Sequence, residues 1–117
     1  MSEVPRVALL GADLILSSRL RSALSARGVP LVATPREEDL PDAPLLFVDL
    51  NSDADARLET IGRLRQRNAG AMIIGFCDHD DNQLRRRAMA AGASQVVANR
   101  HLAEAALRLA AAEGPVP

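Results

Sequence analysis

One short run holds most of the side chains that could do chemistry: Cys77-Asp78-His79-Asp80-Asp81. Three carboxylates and an imidazole suggest a metal cluster, with Asp13 and Asp49 as further oxygen donors. Neighbours along a loop point in different directions, however, so four residues in a row seldom ligate one ion. The plainer reading is a solvated loop in which Asp80 or Asp81 caps a helix, and Asp13 likewise reads as a helix N-cap. Cys77 is the only cysteine of the 117 residues, so no internal disulfide exists. It reads as a small side chain at the core edge rather than a redox thiol.

What is missing narrows the chemistry further. All 14 basic residues are arginine, so no Schiff base and no lysine on a phosphate is available. Aromatic content is 2%, two phenylalanines, which removes stacking platforms for bases or flavins. The formal net charge of -1 argues against a nucleic-acid binder held by phosphate contacts. No apolar stretch is long enough to span a bilayer, and Met1–Arg6 lacks the apolar core of a signal peptide. A cytoplasmic protein without a cofactor or bound metal is the expectation.

The elements that must position these residues alternate. Val7–Leu10, Leu31–Ala33, Leu45–Val48, Met72–Phe76 and Gln95–Ala98 are short apolar runs, read as strands buried on both faces. Helical spacing falls between them: Leu16, Leu20, Ala23 and Leu24 up to a stop at Gly28; Leu58, Ile61 and Leu64; Leu84, Ala88 and Ala91; Leu102, Ala106 and Leu109. The segment between the second and third strands holds Pro35, Pro41 and Pro44, so at most one helical turn fits there. Without a full helix, the sheet near Val32 and Phe47 should be less covered. The expected fold class is α/β: a doubly wound five-stranded parallel sheet in flavodoxin-like order 2-1-3-4-5, helices on both faces, second helix short or missing. Residues 6–113 are expected to form one domain, with 1–5 and 114–117 as flexible tails.

Over about residues 6 to 112 this pattern resembles the receiver domain of bacterial response regulators, the CheY-like domains of two-component signal transduction. Leu45-Leu46-Phe47-Val48-Asp49-Leu50-Asn51 resembles the third strand with its phosphoacceptor aspartate, Asp49. Arg85 through Ser94 resembles the family's fourth helix and the Gly-Ala turn before the fifth strand. The resemblance implies two acidic residues after the first strand to hold Mg²⁺. Gly11 and Ala12 stand there, with Asp13 one residue late. It implies a Ser or Thr where Cys77 stands, a switch aromatic where Val96 stands, a lysine where Asn99 stands and a proline where Arg100 stands. Each lost electrostatic partner of a transferring phosphoryl group typically costs on the order of 10²-fold or more in rate.

The chain therefore reads as a degenerate pseudo-receiver, not an enzyme, acting by phosphorylation-independent protein–protein contact in one fixed state. Two alternatives stand beside this: a phosphorelay protein still accepting a phosphoryl group on Asp49, and small-ligand or ion binding in the crevice at the strand C-termini. In receivers the usual partner and dimer face is helix four, strand five and helix five. Here it offers Arg85, Arg86, Met89, Arg100, Glu104, Leu107 and Arg108, Leu107 standing off the inward stripe as an anchor. The expected partner is a protein, or a second copy on the same face; nucleic acid and membrane are excluded. His101 reads as a surface residue at a helix start.

Overall fold

The computed structural model describes residues 6–78 and 81–112. Five strands, β1 (Val7–Leu10), β2 (Leu31–Thr34), β3 (Leu45–Asp49), β4 (Met72–Cys77) and β5 (Gln95–Ala98), form one parallel sheet in the order β2-β1-β3-β4-β5. Four helices lie between and after them: α1 (Leu14–Ser25), α2 (Ala54–Arg67), α3 (Asn82–Ala91) and α4 (Leu102–Ala112). The expected class and strand order are those observed. A single 3₁₀ turn, Glu37–Asp39, replaces the helix between β2 and β3, so the family's fourth and fifth helices correspond to α3 and α4.

Strand alternation divides the core in two. Ala8, Leu10, Leu46, Val48 and Ile73 face α2 and α3, meeting Leu58, Ile61, Leu64 and Ala88. Val7, Leu9, Leu45, Phe47, Ile74 and Phe76 face α1 and α4, meeting Leu20, Leu24, Leu102 and Ala106. The missing helix leaves the first of these faces short. Val32, paired with Ala8 in register, is accordingly 38% exposed. Phe47 departs from the expectation and is fully buried, because its odd position turns it to the opposite face, which α1 and α4 cover.

In place of the helix, Leu40 and Ala43 pack into the α2–α3 core. The turn itself is tied down by Glu37, which accepts hydrogen bonds from Arg63 (Nη2, 2.7 Å; Nε, 2.9 Å) and Thr60 (Oγ1, 3.2 Å) on α2. The Arg63 hydrogen bond is the main cause that holds the Glu37 carboxyl below its ordinary range, against a smaller opposing effect of burial. No helix among the described residues is long and apolar enough to cross a membrane.

Candidate functional site: the carboxyl end of the sheet

Asp13 caps α1, its Oδ1 accepting from the backbone N–H of Ile15 (2.9 Å) and Leu16 (3.0 Å). Asp81 caps α3 in the same way, accepting from Leu84 N–H at 3.0 Å. Both carboxylates thus satisfy orphan donors of a first helical turn, which is where a carboxylate is most favourable without any ligand. His79 and Asp80 lie outside the described residues. Among the described residues, no group of three or more His, Cys, Asp or Glu side chains is arranged to hold a metal ion.

Asp49 ends β3 and is 6% exposed. Its Oδ1 accepts from the backbone N–H of Asn51 and from Asn51 Nδ2, both at 2.7 Å. Asn51 Nδ2 also donates to Asn99 Oδ1 (3.1 Å), and Asn99 Nδ2 donates back to Asn51 Oδ1 (3.0 Å). A closed chain of amides therefore runs from β3 to the segment after β5, in the place where the resemblance implies a lysine facing the aspartate. The amides satisfy the carboxylate's geometry but bring no positive charge to it.

The β1 side of the site is filled as well. Gly11 is held by its N–H to Thr34 C=O at 2.9 Å, and a Cβ there would lie 2.9 Å from the Cβ of Asp49 and 3.2 Å from its Oδ2. An acidic residue at position 11 would need Asp49 to move. Ala12 is exposed and carries no ligand atom. The Mg²⁺ that receivers use consequently finds one engaged carboxylate and no acidic pair, and the residues present do not fit it. Cys77 and Val96, where the resemblance implies switch residues, are buried at 8% and 4% exposure. Neither offers the hydroxyl or the swinging ring that a phosphoryl-driven switch needs.

Beside this chain lies an open cleft of about 580 Å³, lined by Asp13, Ile15, Leu50, Asn51, Asp78 and Asn99 among others. Asp13 and Asp78 share it, while Asp49 sits behind Asn51 and does not line it, so the three aspartates do not converge. Among the described residues, the charged side chains of its wall are carboxylates.

On the other face, Arg85, Arg86, Met89, Arg100, Glu104 and Arg108 are exposed, as the sequence suggests, while Arg87 pairs with Asp55 of α2 (2.6 Å). Leu107 is a correction: it is partly buried against the α1–α4 core instead of standing off the stripe. α4 packs on both the sheet and α1, so its inward stripe is wider than a helix with one neighbour would need. His101 is exposed in a 3₁₀ turn (Asn99–His101) just before α4, its Nδ1 4.0 Å from Glu104. Sequence reasoning passed over Asn51, although Asp-x-Asn is the spacing of an Asx turn. It also gave no role to Arg65, whose partners are all distant or main-chain.

No family model matches the sequence, and neither does any curated protein. Solved structures do match. A response regulator from Thermotoga maritima superposes at a TM-score of 0.77 with 19% identity, covering 92% of this chain and 98% of that one. A CheY-like protein (tadZ) from Pseudomonas aeruginosa gives 0.72 at 21% identity, covering 90% and 98%. A putative pilus assembly-related protein from Burkholderia pseudomallei gives 0.72 at 21%, covering 97% and 93%. The chain has the fold of the CheY-like receiver domains of response regulators.

Proposed function

We propose that the chain is a response-regulator-like signalling domain that acts by protein contact and not by phosphoryl transfer. The observation that carries this reading is that Asp49 is met by the neutral amides of Asn51, which pair in turn with Asn99. Phosphoryl transfer depends on positive charge at the transferring group. Here the acidic pair is Gly11-Ala12, the lysine is Asn99, and Asp49 keeps one oxygen engaged by Asn51. Asp49 is satisfied without a phosphoryl group, since its Oδ1 accepts from two amide donors at the end of a buried strand.

Contact then falls to the α3–β5–α4 face, where Arg85, Arg86, Met89, Arg100, Glu104 and Arg108 are exposed. With Cys77 and Val96 in the switch positions, one conformation of that face serves, and partner binding is constitutive. The likeness to a protein named for pilus assembly supports the same emphasis, since that name denotes a part in a protein assembly. The test is mass spectrometry after incubation with acetyl phosphate and Mg²⁺. No phosphoryl adduct is expected, and an adduct lost in Asp49→Asn would favour the phosphorelay alternative instead.

A further inference from the structure

The two outer strands of the sheet are finished differently. The β2 edge is closed: Pro30 and Pro35 bracket it, and Arg21 Nη1 donates to the carbonyl of Leu31 at 2.7 Å. Such devices keep an edge from pairing with another chain. The β5 edge carries no proline between Ala93 and Arg100. Ser94 N–H bonds inward to Ile73 C=O at 2.7 Å, so alternation along the strand turns the peptide groups of Gln95 and Val97 away from β4.

Beside that outward edge lies an open cleft of about 420 Å³ between α3 and α4. It is lined by Val96, Val97 and Ala98, by Arg85, Arg100 and Arg108, and by a single carboxylate, Glu104. The arginines are exposed. A row of guanidinium groups along an outer strand opposes pairing of two copies, since β5 against β5 would bring like charges together. It favours an incoming strand of opposite sign.

We infer that the β5 edge takes up an extended acidic segment of a partner protein, added as a sixth strand, with its carboxylates against Arg100 and Arg108. Main-chain bonds to Gln95 and Val97 supply the docking geometry and the arginines supply the sign. A four-residue match to β5 spans about 13 Å at the ordinary rise of a strand. The inference rests on the contact reading above and names the class of partner.

The test is an NMR titration of the full chain with a capped octapeptide of alternating glutamate and valine. Two controls accompany it: the lysine–valine counterpart, and the acidic peptide with its four central amides N-methylated. The acidic peptide should shift the Gln95 and Val97 amides and protect them from exchange. Arg100→Glu with Arg108→Glu should weaken it on the order of tenfold, with less effect at high salt. The N-methylated peptide, unable to complete a ladder, should not bind. No shift at millimolar peptide, equal binding of the lysine peptide, or undiminished binding of the N-methylated one overturns strand addition. The phosphorylation assay reads the other proposal separately: an adduct on Asp49 with the β5 shifts intact would overturn the phosphorylation-independent reading and leave strand addition standing.

Discussion

The two ends of the sheet handle charge in opposite ways. At the amino end, Arg65 near the C-terminus of α2 spreads one guanidinium over two loops, those before β4 and before β5. Nε donates to Gly92 C=O (2.9 Å), Nη1 to the carbonyls of Ala69 (2.9 Å) and Ala71 (2.7 Å), and Nη2 to Ser94 Oγ (3.1 Å). Ser94 Oγ in turn accepts from Ile73 N–H at 3.0 Å, so the cation locks α2, α3 and the starts of β4 and β5 together. At the carboxyl end the buried charge is an anion, Asp49, met only by amides. The cation with the most hydrogen-bond partners therefore sits at the end of the sheet away from Asp49. One end of the sheet is held by a shared cation, the other by neutral amides around a carboxylate.

That contrast makes ordered predictions. Arg65→Ala should be the most damaging single change, about 3 kcal/mol in urea unfolding, because it strands several carbonyls at once. Gly92→Ala should come next, about 2 kcal/mol. Gly92 has φ +129° and an added Cβ would lie 2.8 Å from the Cβ of Arg65, so both backbone and clamp must give. At the other end, Asn51→Ala and Asn99→Ala should each cost about 1 kcal/mol or less, since their pair is solvent-accessible and Asp49 can turn to water. A larger loss at Asn51 than at Arg65 would reverse the comparison.

The smallest effect concerns Glu37. Arg63 lowers its folded pKa, so the stabilisation is present above the unfolded glutamate value of about 4.3 and is lost as pH falls through the lower folded value. Acid titration of stability should steepen in that window, and Glu37→Gln should flatten it. High salt should shrink the difference, because Arg63 is exposed.

Much of this molecule is legible in local sequence. Buried strands such as Leu45–Val48 announce themselves because a doubly covered strand must be apolar on both sides. Three prolines between residues 35 and 44 forbid a helix by removing donors and fixing φ. Asp13 follows from the capping chemistry of a carboxylate beside a first helical turn. These are local facts, decided by a few neighbours in sequence. Leu107 and Phe47 differ from the sequence expectation because each depends on which other element lies across from it. Leu107 meets the α1–α4 core, and Phe47 points to the face that keeps both its helices.

The identities at the carboxyl end, Gly11, Ala12, Cys77, Val96 and Asn99, were likewise visible in the sequence, and they differ from those the receiver resemblance implies. The pairing of amides there was not. Asn51 and Asn99 are 48 positions apart, and only the juxtaposition of β3 and the segment after β5 lets their amides pair. Arg65 reaches Gly92 and Ser94 across 27 and 29 positions for the same reason. The chain's own order determined strands, helices, breaks and the absence of a cation at the site. Tertiary structure decided which polar groups meet, because a hydrogen bond needs its partners within about 3 Å and sequence distance says nothing of that.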